Sequence, residues 1–236
     1  MRERSGVMIV ELGPAPSGLG EPAQWILDGL GIAPSRCPII RPWQGDVLPP
    51  IRQCAGAVFS GSPSMVTEPE EWHQRAFDWL DTALEAQRPL LGICYGHQLI
   101  AQVIGATVDW NPLGQECGQV EIRLEPAVQK DVLFSGLEDP FPAYACHRQS
   151  VTELSRFATI LGGNDHDGFQ AFRWRDYVWG VQFHPEFDER IMAGYIAASA
   201  EVLRDEGRDP QELIDALDGR GNASRQILKR FARLAR

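Results

Sequence analysis

An α/β architecture around an open sheet is expected for this chain, because two chemically loaded segments each follow a strand pattern. The apolar run Pro89-Leu90-Leu91 leads into Gly92-Ile93-Cys94-Tyr95-Gly96-His97-Gln98, and then into the helix-like Leu99-Ile100-Ala101-Gln102-Val103-Ile104. Val178-Trp179-Gly180-Val181-Gln182-Phe183 reads as a second strand, ending in His184-Pro185-Glu186. Open α/β sheets gather their sites at the carboxyl ends of strands, so this class can join segments ninety residues apart.

The remaining elements follow in order. Val7–Val10 is expected to be the first strand, and Gly13–Gly18 a loop by composition. Glu21-Pro22 opens a helix running to about Leu30, with Gly31 as its stop, since Pro suits a first helical turn. Pro38-Ile39-Ile40 and Ala57-Val58-Phe59 are further strands, separated by a turn over 46–50. Glu68–Ala86 is a long helix whose Trp72, Phe77, Trp79, Leu80 and Leu84 form a helical stripe. Val120–Leu124 alternates with period two, as a half-exposed antiparallel strand does. Ala158–Leu161 and Phe169–Arg173 are later strands. Glu201–Arg236 is charge-rich and helix-prone, with a break at Gly219–Asn222. Ile227, Leu228, Phe231 and Leu234 recur there at helical spacing. That face is expected to dock on the domain or on another copy of the chain, as in a homodimer; a membrane-surface helix is the sharper alternative.

The segment around Cys94 is the thiol form of a nucleophile elbow, in which glycines flank a residue on a tight strand-to-helix turn. Only glycine tolerates the crowding and unusual dihedrals beside the nucleophile. The positive end of the following helix favours a thiolate. A thiol nucleophile also needs a base, and the base needs a group to orient it. His184 and Glu186 stand two apart, on one side of an extended chain, with Pro185 stiffening the link. The plainer reading of Cys94 alone is a buried cysteine in a turn.

Gly-Ile-Cys-Tyr-Gly-His-Gln with the downstream Gln-Phe-His-Pro-Glu resembles the class I, triad-type glutamine amidotransferases, in particular the glutaminase domain of GMP synthase and its free-standing relatives. Three weaker matches lie in the family's order. Val58–Pro63 resembles a strand followed by S-G-G-P, Gln115–Gly118 an acidic-x-Gly segment, and Cys146–Val151 the motif S-H-G-D-x-V. The resemblance runs from about Val7 to Ile196. It implies a three-layer, flavodoxin-like α/β domain over residues 1–197 with a mostly parallel sheet and a small antiparallel portion, and a C-terminal helical extension over 198–236. It further implies that Cys94, His184 and Glu186 form a catalytic triad, that backbone N–H groups of Tyr95 and of Gly61 or Ser62 form the oxyanion hole, and that Gln98, Cys146, His147, Arg148 and Gln149 meet the substrate. No metal or organic cofactor is required by such a mechanism.

Two departures from the family pattern bear on substrate. Ser62 replaces the second glycine of S-G-G-P, which narrows the pocket and adds a hydroxyl. Arg148-Gln149 replaces Gly-Asp, in a segment that meets the α-amino and carboxylate end of glutamine in the family. Three functions remain open: a glutaminase that releases ammonia for a separate synthetase subunit, a stand-alone hydrolase of γ-glutamyl peptides or amines, and a catalytically silent regulatory module. Retention of Cys94, His184 and Glu186 together argues against the third.

Composition narrows the setting. A net charge of −10 over 236 residues argues against general nucleic-acid binding. Five cysteines without disulfide-framework or C-x₂-C spacing suit a reducing cytoplasm. The apolar run Val7–Leu12 after Met1–Gly6 is too short for a signal-peptide core, and no run approaches a membrane span. Asn164–Gly168, with His166, reads as a solvated turn rather than a metal loop.

Overall fold

The computed structural model describes residues 5–235; Met1–Arg4 and Arg236 of the terminal segments considered above lie outside the described residues. The chain builds β1 (Ser5–Val10), α1 (Pro22–Leu30), β2 (Ile39–Ile40), β3 (Cys54–Phe59), α2 (Glu71–Glu85), β4 (Leu90–Ile93), α3 (Tyr95–Val103), β5 (Thr107–Trp110), β6 (Glu116–Leu124), β7 (Phe141–His147), β8 (Gln149–Glu153), β9 (Ala158–Gly163), β10 (Ala171–Trp174), β11 (Val178–Val181), α4 (Glu189–Ala198), α5 (Ala200–Asp205), α6 (Pro210–Asp215) and α7 (Gln226–Leu234). Among the described residues, nine strands form one sheet in the order β2-β1-β3-β4-β11-β10-β9-β6-β7, and β5 pairs with β8 separately.

Period-two alternation explains the layering. On β1, Val7 and Ile9 pack with Ile26 and Leu27 of α1 and with Ile227, Leu228 and Phe231 of α7. Met8 and Val10 face the other way, onto Trp72, Ala76 and Leu80 of α2 and Leu99 and Ile100 of α3. Helices therefore cover both faces of the sheet, giving the expected three layers. The half from β2 to β11 is parallel, and from β11 outward the pairs are antiparallel. The antiparallel half extends the Val120–Leu124 expectation to Glu116–Leu124 and adds β7.

Three strands escape a reading by periodicity: β5, β7 and β8. β7 is buried along nearly its whole length, so its apolar residues do not alternate with polar ones, and Pro142 argues locally against a strand. Pro is tolerated because β7 is the edge strand, paired only with β6. β5 is four residues long with one buried position.

The apolar face of α7 docks on its own domain. Ile227, Leu228 and Phe231 are fully buried, and Leu228 Cδ1 sits where a Cβ on Gly29 of α1 would stand, at 2.3 Å. Ile227 and Phe231 are thus unavailable as a partner surface, while Leu234 stays partly exposed. Phe231→Ala is expected to destabilise the whole fold by about 3–5 kcal/mol, the cost of emptying a large buried aromatic site. Urea denaturation would read it as one shifted cooperative transition, and a shift near zero would contradict this packing. Among the described residues no helix is long and apolar enough to cross a membrane.

Candidate active site

β3, β4 and β11 are neighbours and run parallel, with Phe59 opposite Gly92 and Val181 opposite Ile93. Their carboxyl ends lie side by side, and from them emerge Ser60–Pro63, Cys94 and Gln182–Glu186. The backbone at Cys94 has φ 51° and ψ −104°, a left-handed conformation that a side-chain-bearing residue adopts only where the surroundings enforce it. The enforcement is visible. Cys94 N–H donates to Val181 O at 2.9 Å and Gly96 N–H to Ser60 O at 3.1 Å. A Cβ on Gly92 would stand 2.3 Å from Gly96 O, and one on Gly96 would stand 2.5 Å from Phe59 O. Both glycines of the elbow are required by close backbone approach. Tyr95 opens α3, so its N–H has no intrahelical acceptor.

His184 Nδ1 is 2.8 Å from Glu186 Oε1, and both residues are buried. The main-chain N–H of His184 donates to Tyr144 O at 2.7 Å, pinning the segment to β7. The imidazole also stacks on Phe187, with centroids 4.0 Å apart and planes 13° from parallel. Nε2, the nitrogen turned from Glu186, has no hydrogen-bond partner in the protein. His184 and Cys94 converge on Gly61: a Cβ there would lie 3.0 Å from His184 Cε1 and 3.5 Å from Cys94 Cβ. Burial by itself would push the His184 pKa down. The charges of Glu186 and of the Cys94 thiolate outweigh that and hold it at about 10, so the ring is protonated near neutral pH.

These groups open onto one cavity of about 460 Å³, lined also by Pro14–Pro16, Gly61–Met65, Tyr95, Gln98, Gln115, Cys146–Gln149, Tyr195, Ala198, Ser199 and Val202. Every residue singled out above lines it except Glu186, which lies behind His184.

The sequence of residues 38–199 matches the family model described as glutamine amidotransferase class-I. This chain belongs to that family. It is 34% identical over 137 residues to a glutamine-hydrolyzing subunit of GMP synthase from Methanopyrus kandleri, a match covering 57% of this chain and 67% of that protein. Against the glutamine-hydrolyzing GMP synthase of Aeropyrum pernix the identity is 34% over 142 residues, covering 60% of this chain but 25% of that protein. The chain thus spans about a quarter of the second relative's length. A glutamine amidotransferase structure from Thermotoga maritima superposes with a TM-score of 0.80 over 98% of each chain at 21% identity, a likeness of fold.

In this amidotransferase the residues expected to meet substrate divide into two kinds. Gln98 Nε2 donates to Gln149 O at 2.7 Å and Gln182 Oε1 at 2.9 Å, leaving its amide oxygen for a ligand. The Gln149 side chain accepts from Val66 N–H at 3.0 Å and donates to Thr67 Oγ1 at 2.6 Å, so it clamps the loop beyond Pro63. His147 has both ring nitrogens occupied, by Gln149 O at 2.9 Å and Glu116 Oε2 at 2.8 Å. Burial lowers its pKa, but the hydrogen bond and charge of Glu116 raise it to about 9. Arg148 is exposed at the corner between β7 and β8, with its guanidinium 4.7 Å over the Trp110 ring. His147 and Gln149 therefore brace the walls, while Arg148 and Gln98 keep atoms that face the cavity.

Cys146 and Cys117 are opposed across β7 and β6, with sulfurs 2.9 Å apart. The hydrogen bond from Cys117 outweighs burial and lowers the Cys146 thiol to about 6, while Cys117 is pushed up. The backbone carbonyl of Cys146 lies 3.9 Å from Cys94 Sγ. Asn164–Gly168 is a turn in which Asn164 Oδ1 accepts from His166 N and Asp167 N. Among the described residues no group of three or more His, Cys, Asp or Glu is arranged to hold a metal ion.

Sequence reading passed over Phe187, Tyr195 and the Glu116–His147 pair, and it gave Gln115 no role. Phe187 directly follows His-Pro-Glu, a placement that could have drawn attention to it. Tyr195 carried no local signal and Gln115 only a weak motif match, since folding alone brings α4 and β6 beside the elbow.

Ser62 Oγ accepts a hydrogen bond from Ser64 N–H at 3.2 Å and serves its own loop. Ser62→Gly is expected to leave kcat within a few-fold, because an oxyanion donor at this position acts through the main chain. Losing such a donor costs about 10²–10³ in kcat. A loss of that size on Ser62→Gly, read by steady-state kinetics, would assign the hydroxyl a direct role.

Proposed function

We propose that this chain cleaves the side-chain amide of glutamine or a γ-glutamyl compound through a Cys94-His184-Glu186 triad. The observation that carries the reading is the convergence of a strained, Gly-flanked cysteine and a Glu-oriented, protonated histidine on one cavity. The Cys94 thiolate adds to the amide carbonyl carbon. N–H groups of Tyr95 and of Gly61 or Ser62 receive the oxyanion. His184 gives its Nε2 proton to the departing nitrogen, and ammonia leaves a thioester. Water then attacks the thioester carbon with His184 taking its proton, and glutamate is released as the sulfur departs. Glu186 holds the ring's orientation and its charged form. No step calls for a cofactor.

The relatives named as subunits of glutamine-hydrolyzing GMP synthase support delivery of the ammonia to a separate synthetase. A glutaminase of that kind must not waste glutamine. The chain alone is therefore expected to release ammonia from free glutamine slowly, well below the roughly 1–10³ s⁻¹ typical of enzymes. Coupled ammonia detection with and without a synthetase partner tests this, and fast partner-free hydrolysis would overturn the coupling. The alternative of a stand-alone γ-glutamyl amide hydrolase draws support from the shape of the cavity.

A further inference from the structure

The cavity has two unlike ends. One is walled by Gln98, Arg148 and Gln149, polar groups tied to one another and to the loop beyond Pro63. The other lies on the side of His184 and is mostly apolar. There Tyr195 of α4 sits 6.1 Å from the imidazole, ring to ring, and Ala198 and Val202 continue the same wall. Pro14–Pro16 face them from the β1–α1 loop, which packs on α4: a Cβ on Gly194 would stand 2.3 Å from Leu19 Cδ2. Among the described residues lining the cavity there is no Asp or Glu.

The ends have different chemical duties if the triad reading holds, on which this inference rests. His184 protonates the leaving nitrogen, so whatever that nitrogen carries lies on the His184 side. Free glutamine places only ammonia there, and ammonia has no use for a wall of proline, alanine, tyrosine and valine. One polar group interrupts that wall. Gln115 is 6% exposed; its Nε2 is engaged by Ser199 Oγ at 3.1 Å and Cys146 Sγ at 3.4 Å, and its Oε1 has no partner. A buried acceptor left unpaired is costly and suits a ligand N–H.

We infer that the preferred substrate is a γ-glutamyl amide of a small apolar primary amine. The glutamyl group lies toward Gln98 and Gln149, and the amine substituent lies along Pro14–Pro16, Tyr195, Ala198 and Val202. The leaving N–H is received by Gln115 Oε1. In the first half-reaction the Cys94 sulfur–carbon bond forms and the carbon–nitrogen bond breaks, with the His184 proton leaving on the amine. In the second, water adds to the thioester carbon, its proton returns to His184, and the carbon–sulfur bond breaks. The sum is γ-glutamyl amide plus water to glutamate plus amine, with no oxidant or co-reactant.

The test compares glutamine, γ-glutamylmethylamide and γ-glutamyl-n-butylamide on the purified full chain, with glutamate release as the readout. kcat/KM is expected to rise by about tenfold or more from glutamine to the butylamide, the discrimination that a hydrophobic pocket gives per added methylene. Ala198→Trp, which fills the apolar end at an exposed helix position, and Val202→Asp, which charges it, are each expected to lower the butylamide-to-glutamine ratio several-fold. Equal or better turnover of glutamine would overturn the inference and leave the triad standing, as would ratios unmoved by both variants. Intact-mass detection of the glutamyl thioester separates the two readings. Absence of the adduct on Cys94 with all three compounds would overturn the triad, and this inference with it.

Discussion

Cys94→Ala is expected to abolish amide cleavage, with turnover reduced by on the order of 10⁴–10⁶-fold, the loss seen when a triad nucleophile is removed. No other sulfur can take its place. Cys37, Cys54 and Cys117 are buried away from the cavity lining, and their thiols are pushed up by their surroundings, to about 12 for Cys37. Cys146 is the one plausible rival: it lines the cavity, and its thiol is lowered to about 6. Its sulfur, however, is held by Cys117, Gln115 and Ser199. A glutamine-like electrophile such as diazo-oxo-norleucine is therefore expected to label Cys94 in the wild type and in Cys146→Ala, and nothing in Cys94→Ala. Peptide mapping that found the label on Cys146, or unchanged labelling in Cys94→Ala, would remove the central claim.

His184→Ala carries the second large effect, a fall in kcat of about 10⁴-fold with a much smaller change in KM, since it removes proton transfer rather than uniform binding. Glu186→Gln is expected to cost less. The stack on Phe187 and the main-chain bond to Tyr144 hold the ring partly in place without the carboxylate. The same pair ties stability to pH. The His184 pKa is raised on folding from about 6.5 to about 10. Its contribution is therefore fully present below about pH 6.5, declines above it and is lost as pH rises through 10. The stability difference between the wild type and His184→Gln/Glu186→Gln is expected to narrow from pH 6.5 to 10, as read by urea denaturation. A difference that widened over that range would reverse the assignment of charge. His147 beside Glu116 titrates in the same direction, so the double variant serves to isolate the His184 share.

Much of the parallel half of the fold was legible residue by residue. The strands β1, β3, β4 and β11 are short apolar runs bounded by Gly, Pro or the motifs themselves, and α1 and α2 announce themselves by Pro22 and by the stripe from Trp72 to Leu84. The antiparallel half was less so. β7 and β8 carry the Cys146–Val151 motif as an edge strand and a two-stranded ribbon, and burial on both faces removes the alternation by which a strand is recognised. The face of α7 shows the opposite limit. Ile227, Leu228 and Phe231 predict an apolar surface at once, but only contact with α1 decides that the domain itself covers it.

The same division runs through the candidate site. Residue order alone determined that a cysteine would sit at a Gly-bounded strand-to-helix turn and that a histidine and a glutamate would stand two apart at another strand end. Local sterics and spacing suffice for that. The tertiary structure decided what surrounds them: Phe187 and Tyr195 against the imidazole, Glu116 rather than substrate against His147, Gln149 turned to brace a loop, and an apolar end to the cavity beside Gln115. Those contacts join residues many tens of positions apart, and side-chain burial and hydrogen-bond pairing over such separations exist only once β3, β4 and β11 have aligned and the helices have closed over them.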